Sequence, residues 1–307
     1  MAVDRPQTIV GKVRHRDERT REVFWTPERL AAAKPARKIV SHRGSAGQKQ
    51  WLPPPIGEGG CTPHHLGNLK EPAAHAEPMI AGALGVAQPL SYPYRTIGKL
   101  FFTQKGELYG GSAVLIAPNV LLTAAHCVYD DGAWSAHVEF YPSYPSREGN
   151  DPFYRFGYHS LACWGSWIGD TGNYARDYAM VWVDAAPGQE LGFLGLEWLG
   201  YDGTNLEGRR WEAVGYPVVP NPPFDGSTMD HTVGSFVEGD QPGVIGMSND
   251  NMGDGASGGP WLTSLAGRYV NGVTSHTHDG ESFTSFSPFF TSDVFALYKY
   301  ISNPANR

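Results

Sequence analysis

The segment Gly255-Ala256-Ser257-Gly258-Gly259-Pro260 constrains this chain more tightly than any other. Apart from its serine it holds only glycine, alanine and proline, so it reads as a turn whose backbone lies close to its neighbours. A hydroxyl set among such exposed backbone N–H groups suits acyl transfer, because attack on a carbonyl leaves negative charge on an oxygen that those donors must hold. A plain tight loop before a strand has the same composition. The upstream residues therefore decide between the two.

Val120-Leu121-Leu122-Thr123-Ala124-Ala125 reads as an apolar strand that delivers His126, with small neighbours leaving room around the imidazole. A general base needs such room to come within hydrogen-bond distance of its nucleophile. Asp177 heads a second alternating strand, Tyr178-Ala179-Met180-Val181-Trp182-Val183. The edge of a core strand suits a buried acid that orients a histidine. Asp170, in a glycine-rich turn, and Asp184, after the strand, are weaker rivals for that role.

The chain order His126, Asp177, Ser257, with Thr123-Ala124-Ala125-His126-Cys127 and the serine turn, resembles the chymotrypsin-fold serine peptidases. The resemblance covers about residues 90–302. Val138-Glu139-Phe140-Tyr141-Pro142 and Phe290-Thr291-Ser292-Asp293-Val294-Phe295 are similar to segments of the bacterial branch near the V8-type glutamyl endopeptidases. The resemblance implies an all-β fold of two six-stranded antiparallel β-barrels with the active site between them, a C-terminal α-helix and an extended N-terminal arm. It implies a serine endopeptidase without a cofactor, acting on protein or peptide substrates. Ser257 is its nucleophile, His126 its base and Asp177 the orienter, with the backbone N–H groups of Gly255 and Ser257 as oxyanion donors. Secretion and a monomeric state are further expectations from the family.

Departures from the family pattern leave specificity and control open. Ala256 stands where trypsin-like enzymes carry an aspartate that pairs with a new N-terminus, and Asp254 reads as a solvated loop acid. Asn251 stands where trypsin-like enzymes have an aspartate at the base of the specificity pocket. The pocket-wall strand matches Gly272-Val273-Thr274-Ser275-His276-Thr277, of which Thr274, Ser275, His276 and Thr277 are candidate substrate contacts, with Ser275 where the family has a serine supporting the catalytic acid. Glutamyl endopeptidases read a carboxylate with a histidine where Thr274 stands. Preference for an acidic side chain and preference for an uncharged one both remain open. So do two further readings: a catalytically silent homologue that binds through the same cleft, and an esterase sharing the chemistry.

The N-terminal part reads differently. Residues 1–88 carry a net charge of +5 and the remainder −12, summing to −7. Arg14, Arg16, Arg19 and Arg21 alternate with Asp17, Glu18 and Glu22, which is not the dense basic block of a nucleic-acid tail. Opposite signs favour an arm docked in cis on its own domain. Thr26-Pro27-Glu28-Arg29-Leu30-Ala31-Ala32-Ala33-Lys34 reads as a short helix with Thr26 as N-cap, stopped by Pro35, and resembles the pro-regions of secreted bacterial peptidases. Proline and glycine then punctuate residues 50–93 as a linker. The expected division is an arm or pro-region over 1–88, implying a zymogen, and a peptidase domain over 89–307. Within it, barrel 1 covers about 95–185, barrel 2 about 205–290 and a helix about 292–302, with Ser292 as its cap.

Thirty-eight glycines and 24 prolines suit many short strands joined by tight turns. No apolar run approaches the roughly 18 residues of a membrane span, and the charged start after Met1 does not read as a secretory signal. Cys61 with His64 and His65, and His276 with His278, lack two well-spaced ligand pairs, so they read as surface histidines and no metal is expected. With Tyr109 where family members have the partner cysteine, Cys127 either pairs with Cys163 or stays a free core thiol.

Overall fold

The computed structural model describes residues 8–13, 24–40, 51–70, 84–144, 152–218, 224–279 and 283–306. Six antiparallel strands close into a barrel. Around the ring they run Ile97–Gln104, Glu107–Ala117, Val120–Thr123, Ala179–Val183, Phe156–Trp164 and Ala136–Pro142, which pairs back to the first. Side chains alternate across each strand, yet here both faces are buried. In Glu107–Ala117, Ala113 and Leu115 fill the barrel interior, while Val114 and Ile116 join a cluster with the second sheet and the C-terminal helix. Leu121 against Val120 and Leu122, and Val181 against Met180, repeat the division. Two buried faces explain why these strands are apolar throughout.

The second half departs from the expected barrel. Its main sheet runs Thr284–Pro288, Val244–Ser248, Asp230–Glu238, Arg210–Gly215, Pro260–Leu262, Tyr269–Val273, Gly195–Trp198 and Gly60–Cys61. It is a mixed sheet and not a closed six-stranded antiparallel barrel. Gly195–Trp198 pairs parallel with Tyr269 and Val270, taking the edge that a closing strand would need. Among the described residues the ring ends meet through the Val273 amide donating to Ser287 Oγ at 3.0 Å, the Ser275 amide donating to the Phe286 carbonyl at 2.9 Å, and one isolated bridge between His276 and Phe286, without a continuous strand ladder. The C-terminal helix Ser292–Ser302 buries Val294, Leu297 and Ile301. Its N-cap is Thr291, whose hydroxyl accepts from the Asp293 amide, and not Ser292.

The described parts of the N-terminal arm join the domain as added strands. Ile9–Val13 pairs antiparallel with Phe156–Trp164, and Leu84–Gly85 with Asp230 and His231. Between them lies the helix Pro27–Ala32, with Thr26 Oγ1 accepting from the Arg29 amide. Trp25 anchors this stretch. It is 1% exposed, packs against Phe101 and Tyr141, and donates its indole N–H to the His137 carbonyl at 2.6 Å. The chain then continues as Lys34–Pro35, parallel to Tyr109 and Gly110, and as Ile39–Val40, parallel to Thr277 and His278. Residues 34–40 thus bridge the two halves of the domain.

Candidate active site

His126 sits in the short 3-10 turn Ala125–Cys127, directly after the Val120–Thr123 strand. Asp177 precedes Ala179–Val183, and that strand pairs antiparallel with Val120–Thr123. This pairing brings two residues 51 positions apart into contact. Asp177 is 0% and His126 3% exposed. His126 Nδ1 lies 2.9 Å from Asp177 Oδ2, and the His126 backbone N–H donates to Asp177 Oδ1 at 2.9 Å. From the second half, Ser275 Oγ donates to Asp177 Oδ2 at 2.6 Å. Burial opposes the charge on Asp177, but the imidazole and these donors outweigh it and hold its carboxyl below the ordinary range. Burial likewise opposes the imidazolium of His126, and the facing carboxylate outweighs it, so that His126 is pushed up to about 10.

Ser257 is 3% exposed and lies at the junction of the two halves. Its carbonyl accepts from the Ser112 amide at 2.8 Å, tying the serine turn to the barrel. Two glycines make the turn possible. Gly255 has φ +87°, and a Cβ there would lie 2.6 Å from the Tyr216 carbonyl oxygen. Gly258 has φ +82°, and a Cβ there would run into Thr123 and the Ser112 carbonyl. Both positions are in the left-handed region, where only glycine is free of steric cost.

One backbone oxygen of the arm occupies the centre of this arrangement. The Gly255 amide donates to the Ala36 carbonyl at 2.8 Å, and Ser257 Oγ donates to the same oxygen at 3.1 Å. His126 Nε2 is buried and has no hydrogen-bond partner. Ala36 is held in turn by its own N–H, which donates to the Gly110 carbonyl at 2.8 Å. Arg37 pairs with Asp254 at 3.5 Å and Lys38 with Asp130 at 2.7 Å. Asp254 is therefore not a solvated acid. Its side chain is 11% exposed, and burial raises its carboxyl despite the arginine. A cavity of about 520 Å³ remains beside His126, between residues 34–37 and the barrel residues Phe102, Gln104 and Tyr109.

The other residues singled out in the sequence are dispersed around this centre. Thr274 is buried, and its hydroxyl accepts from the Trp261 indole at 3.1 Å. The Thr277 amide donates to the Lys38 carbonyl at 3.1 Å. Asn251 is half-buried next to Asp250, a buried carboxyl that accepts from Ser285 Oγ and the Met252 amide. His276 is not a surface histidine; it is 2% exposed and stacked between Tyr174 and Phe286. All three cysteines are free thiols, so Cys127 and Cys163 form no bridge. Two participants carried no sequence signal: Ala36, which acts through its backbone, and Asp240, whose carboxylate meets His276.

No known family profile matches the chain. It is 27% identical over 232 residues to a Bacillus subtilis (strain 168) protein named extracellular metalloprotease, covering 71% of this chain and 67% of that one. Among solved structures, the protease Anisep from Arthrobacter nicotinovorans is 26% identical with a TM-score of 0.58, covering 66% of this chain and 94% of that chain. A Glu endopeptidase is 23% identical with a TM-score of 0.59, covering 72% and 97%, and this likeness speaks to the fold. The chain therefore has the chymotrypsin fold and groups with bacterial proteases of that fold.

Proposed function

We propose that the chain is a serine endopeptidase made as a zymogen, whose own arm fills its cleft. The observation that carries this reading is the convergence on the Ala36 oxygen. A carbonyl oxygen held by the Gly255 amide and touched by Ser257 Oγ occupies the position a scissile carbonyl would need. In the proposed reaction His126 Nε2 takes the Ser257 proton as Oγ attacks the substrate carbonyl carbon. The Gly255 and Ser257 amides hold the resulting oxyanion. His126 then delivers the proton to the leaving amine, and water hydrolyses the acyl-enzyme by the same route in reverse. Asp177, fixed by the His126 amide and by Ser275, holds the imidazole N–H on Nδ1, so that in the neutral ring Nε2 is the nitrogen that takes the proton.

The arm is unproductive in its present seat. Ser257 Oγ–H points to the Ala36 oxygen and not to His126 Nε2, so the nucleophile is not paired with its base. Attack needs the reverse: the proton on the imidazole side and an oxygen lone pair toward the carbonyl carbon. Residues 34–40 are thus read as an inhibitor in cis, and an extracellular setting as the place of release, on the likeness to the Bacillus relative. The substrate is a protein or peptide. Its preferred side chain is read by hydrolysis of peptides ending in Glu, Leu and Arg. The reading is tested by comparing peptide hydrolysis by the arm-clipped protein with that by its His126→Ala and Ser257→Ala variants. Hydrolysis that persists in either variant would defeat it.

A further inference from the structure

Among the described residues, Asp240, His276 and His278 place three ligand atoms within 4.8 Å of one another. Asp240 follows the Asp230–Glu238 strand, His276 immediately precedes the short strand Thr277–His278 that faces the arm, and His278 ends it. Asp240 Oδ2 lies 2.9 Å from His276 Nε2 and 3.2 Å from His278 Nε2. In a tetrahedral zinc site, bonds of about 2.0–2.2 Å set neighbouring ligand atoms about 3.3–3.6 Å apart. Two of the three edges are already close to that length.

The protons around His276 point the same way. Ser275 has one hydroxyl proton, and the 2.6 Å contact assigns it to the Asp177 carboxylate, which can only accept. The 3.0 Å contact between Ser275 Oγ and His276 Nδ1 must then carry its proton on the ring nitrogen. His276 Nε2 then faces the Asp240 carboxylate oxygen at 2.9 Å. A proton or a metal ion can occupy the space between these two atoms. An Nδ1–H held by a neighbour with Nε2 directed outward is the arrangement of a metal-bound histidine. Tyr174 and Phe286, with ring centroids 4.0 and 5.1 Å away, fix the imidazole plane. Asp240 Oδ1 is buried without a hydrogen-bond partner.

We propose that Asp240, His276 and His278 form a Zn²⁺ site with a fourth position open to water. Two imidazoles and one carboxylate suit zinc, whereas calcium and magnesium take oxygen ligands. The ion would be structural. It lies next to Ser275, whose Oγ is 3.0 Å from His276 Nδ1, and it would tie the loop after Glu238 to the segment that carries Ser275. The inference does not depend on the proposed peptidase activity.

The test uses the full chain carrying Ser257→Ala, which removes self-cleavage. It is titrated with Zn²⁺ against a chromophoric chelator and with Co²⁺ followed by visible absorption. The expected result is one tight site per chain with the intense bands of tetrahedral cobalt. Asp240→Asn and His278→Gln should each weaken binding by at least about tenfold. Both should keep the circular dichroism spectrum in chelator, while His64→Gln leaves binding unchanged. Equal affinity in the Asp240 and His278 variants would overturn the site. So would absent cobalt bands in the chain with all three ligands intact, a result independent of whether any variant folds; the 2.9 Å contact would then be an imidazolium–carboxylate pair alone.

Discussion

Trp25→Ala tests the proposed arm inhibition from a distance, because Trp25 touches none of the residues around Ser257. The indole is 1% exposed, packs on Phe101 and Tyr141, and gives its N–H to the His137 carbonyl. Truncating a buried tryptophan costs about 3–5 kcal/mol. The His137 carbonyl also loses its indole donor. Trp25 belongs to the arm and its pocket to the barrel, so the loss falls on docking more than on the domain. At about 1.4 kcal/mol per tenfold, the undocked fraction should rise by about two to three and a half orders of magnitude until undocking is complete. The assay is the initial rate of fluorogenic peptide hydrolysis by the uncut chain, compared with the arm-clipped protein as the ceiling. Trp25→Ala should move the uncut chain most of the way to that ceiling. A rate unchanged within about twofold, in a variant whose circular dichroism matches the parent, would refute the reasoning.

Asp177→Asn should lower the turnover of the clipped enzyme by about 10⁴-fold with little change in fold, as expected when the orienting acid is lost; a loss below about tenfold would remove Asp177 from that role. The folded pKa of His126 lies near 10, above its unfolded value of about 6.5. The stabilisation from its pairing is thus fully present below about pH 6.5 and is lost as pH rises through about 10. The melting-temperature gap between the uncut parent and His126→Gln should accordingly narrow from pH 6 to pH 10.5, and a widening gap would contradict the pairing. Gly255→Ala forces a side chain into φ +87° and against the Tyr216 carbonyl. It should cost about 1–3 kcal/mol of stability and slow hydrolysis by the clipped enzyme, as read by chemical denaturation and initial rates.

How much of this was legible in the sequence follows from which atoms carry each part. His126, Asp177 and Ser257 stand out in the sequence because the proposed chemistry requires those side chains, and small neighbours mark the space around them. The meeting of His126 and Asp177 depends on the antiparallel pairing of Val120–Thr123 with Ala179–Val183, two segments that each read as a strand. The seat of Ala36 was not legible, since a backbone carbonyl has no side-chain signature. Asp254 was misread because the arginine that covers it lies 217 positions away. The second barrel failed for a similar reason. Gly195–Trp198 looks like any short strand, and nothing in its residues says that it will run parallel beside Tyr269 and Val270. His276 appeared as one of two histidines without ligand spacing, and only the chain's return at Asp240 supplies the third group.

The central claim is that Ser257 is a nucleophile activated by His126 and Asp177. A fluorophosphonate probe measures this most directly, because it reacts with an activated serine and needs no knowledge of the substrate. The account predicts covalent labelling at Ser257, faster in the arm-clipped protein than in the uncut chain, and abolished by Ser257→Ala. No labelling of either the uncut or the clipped protein would contradict it.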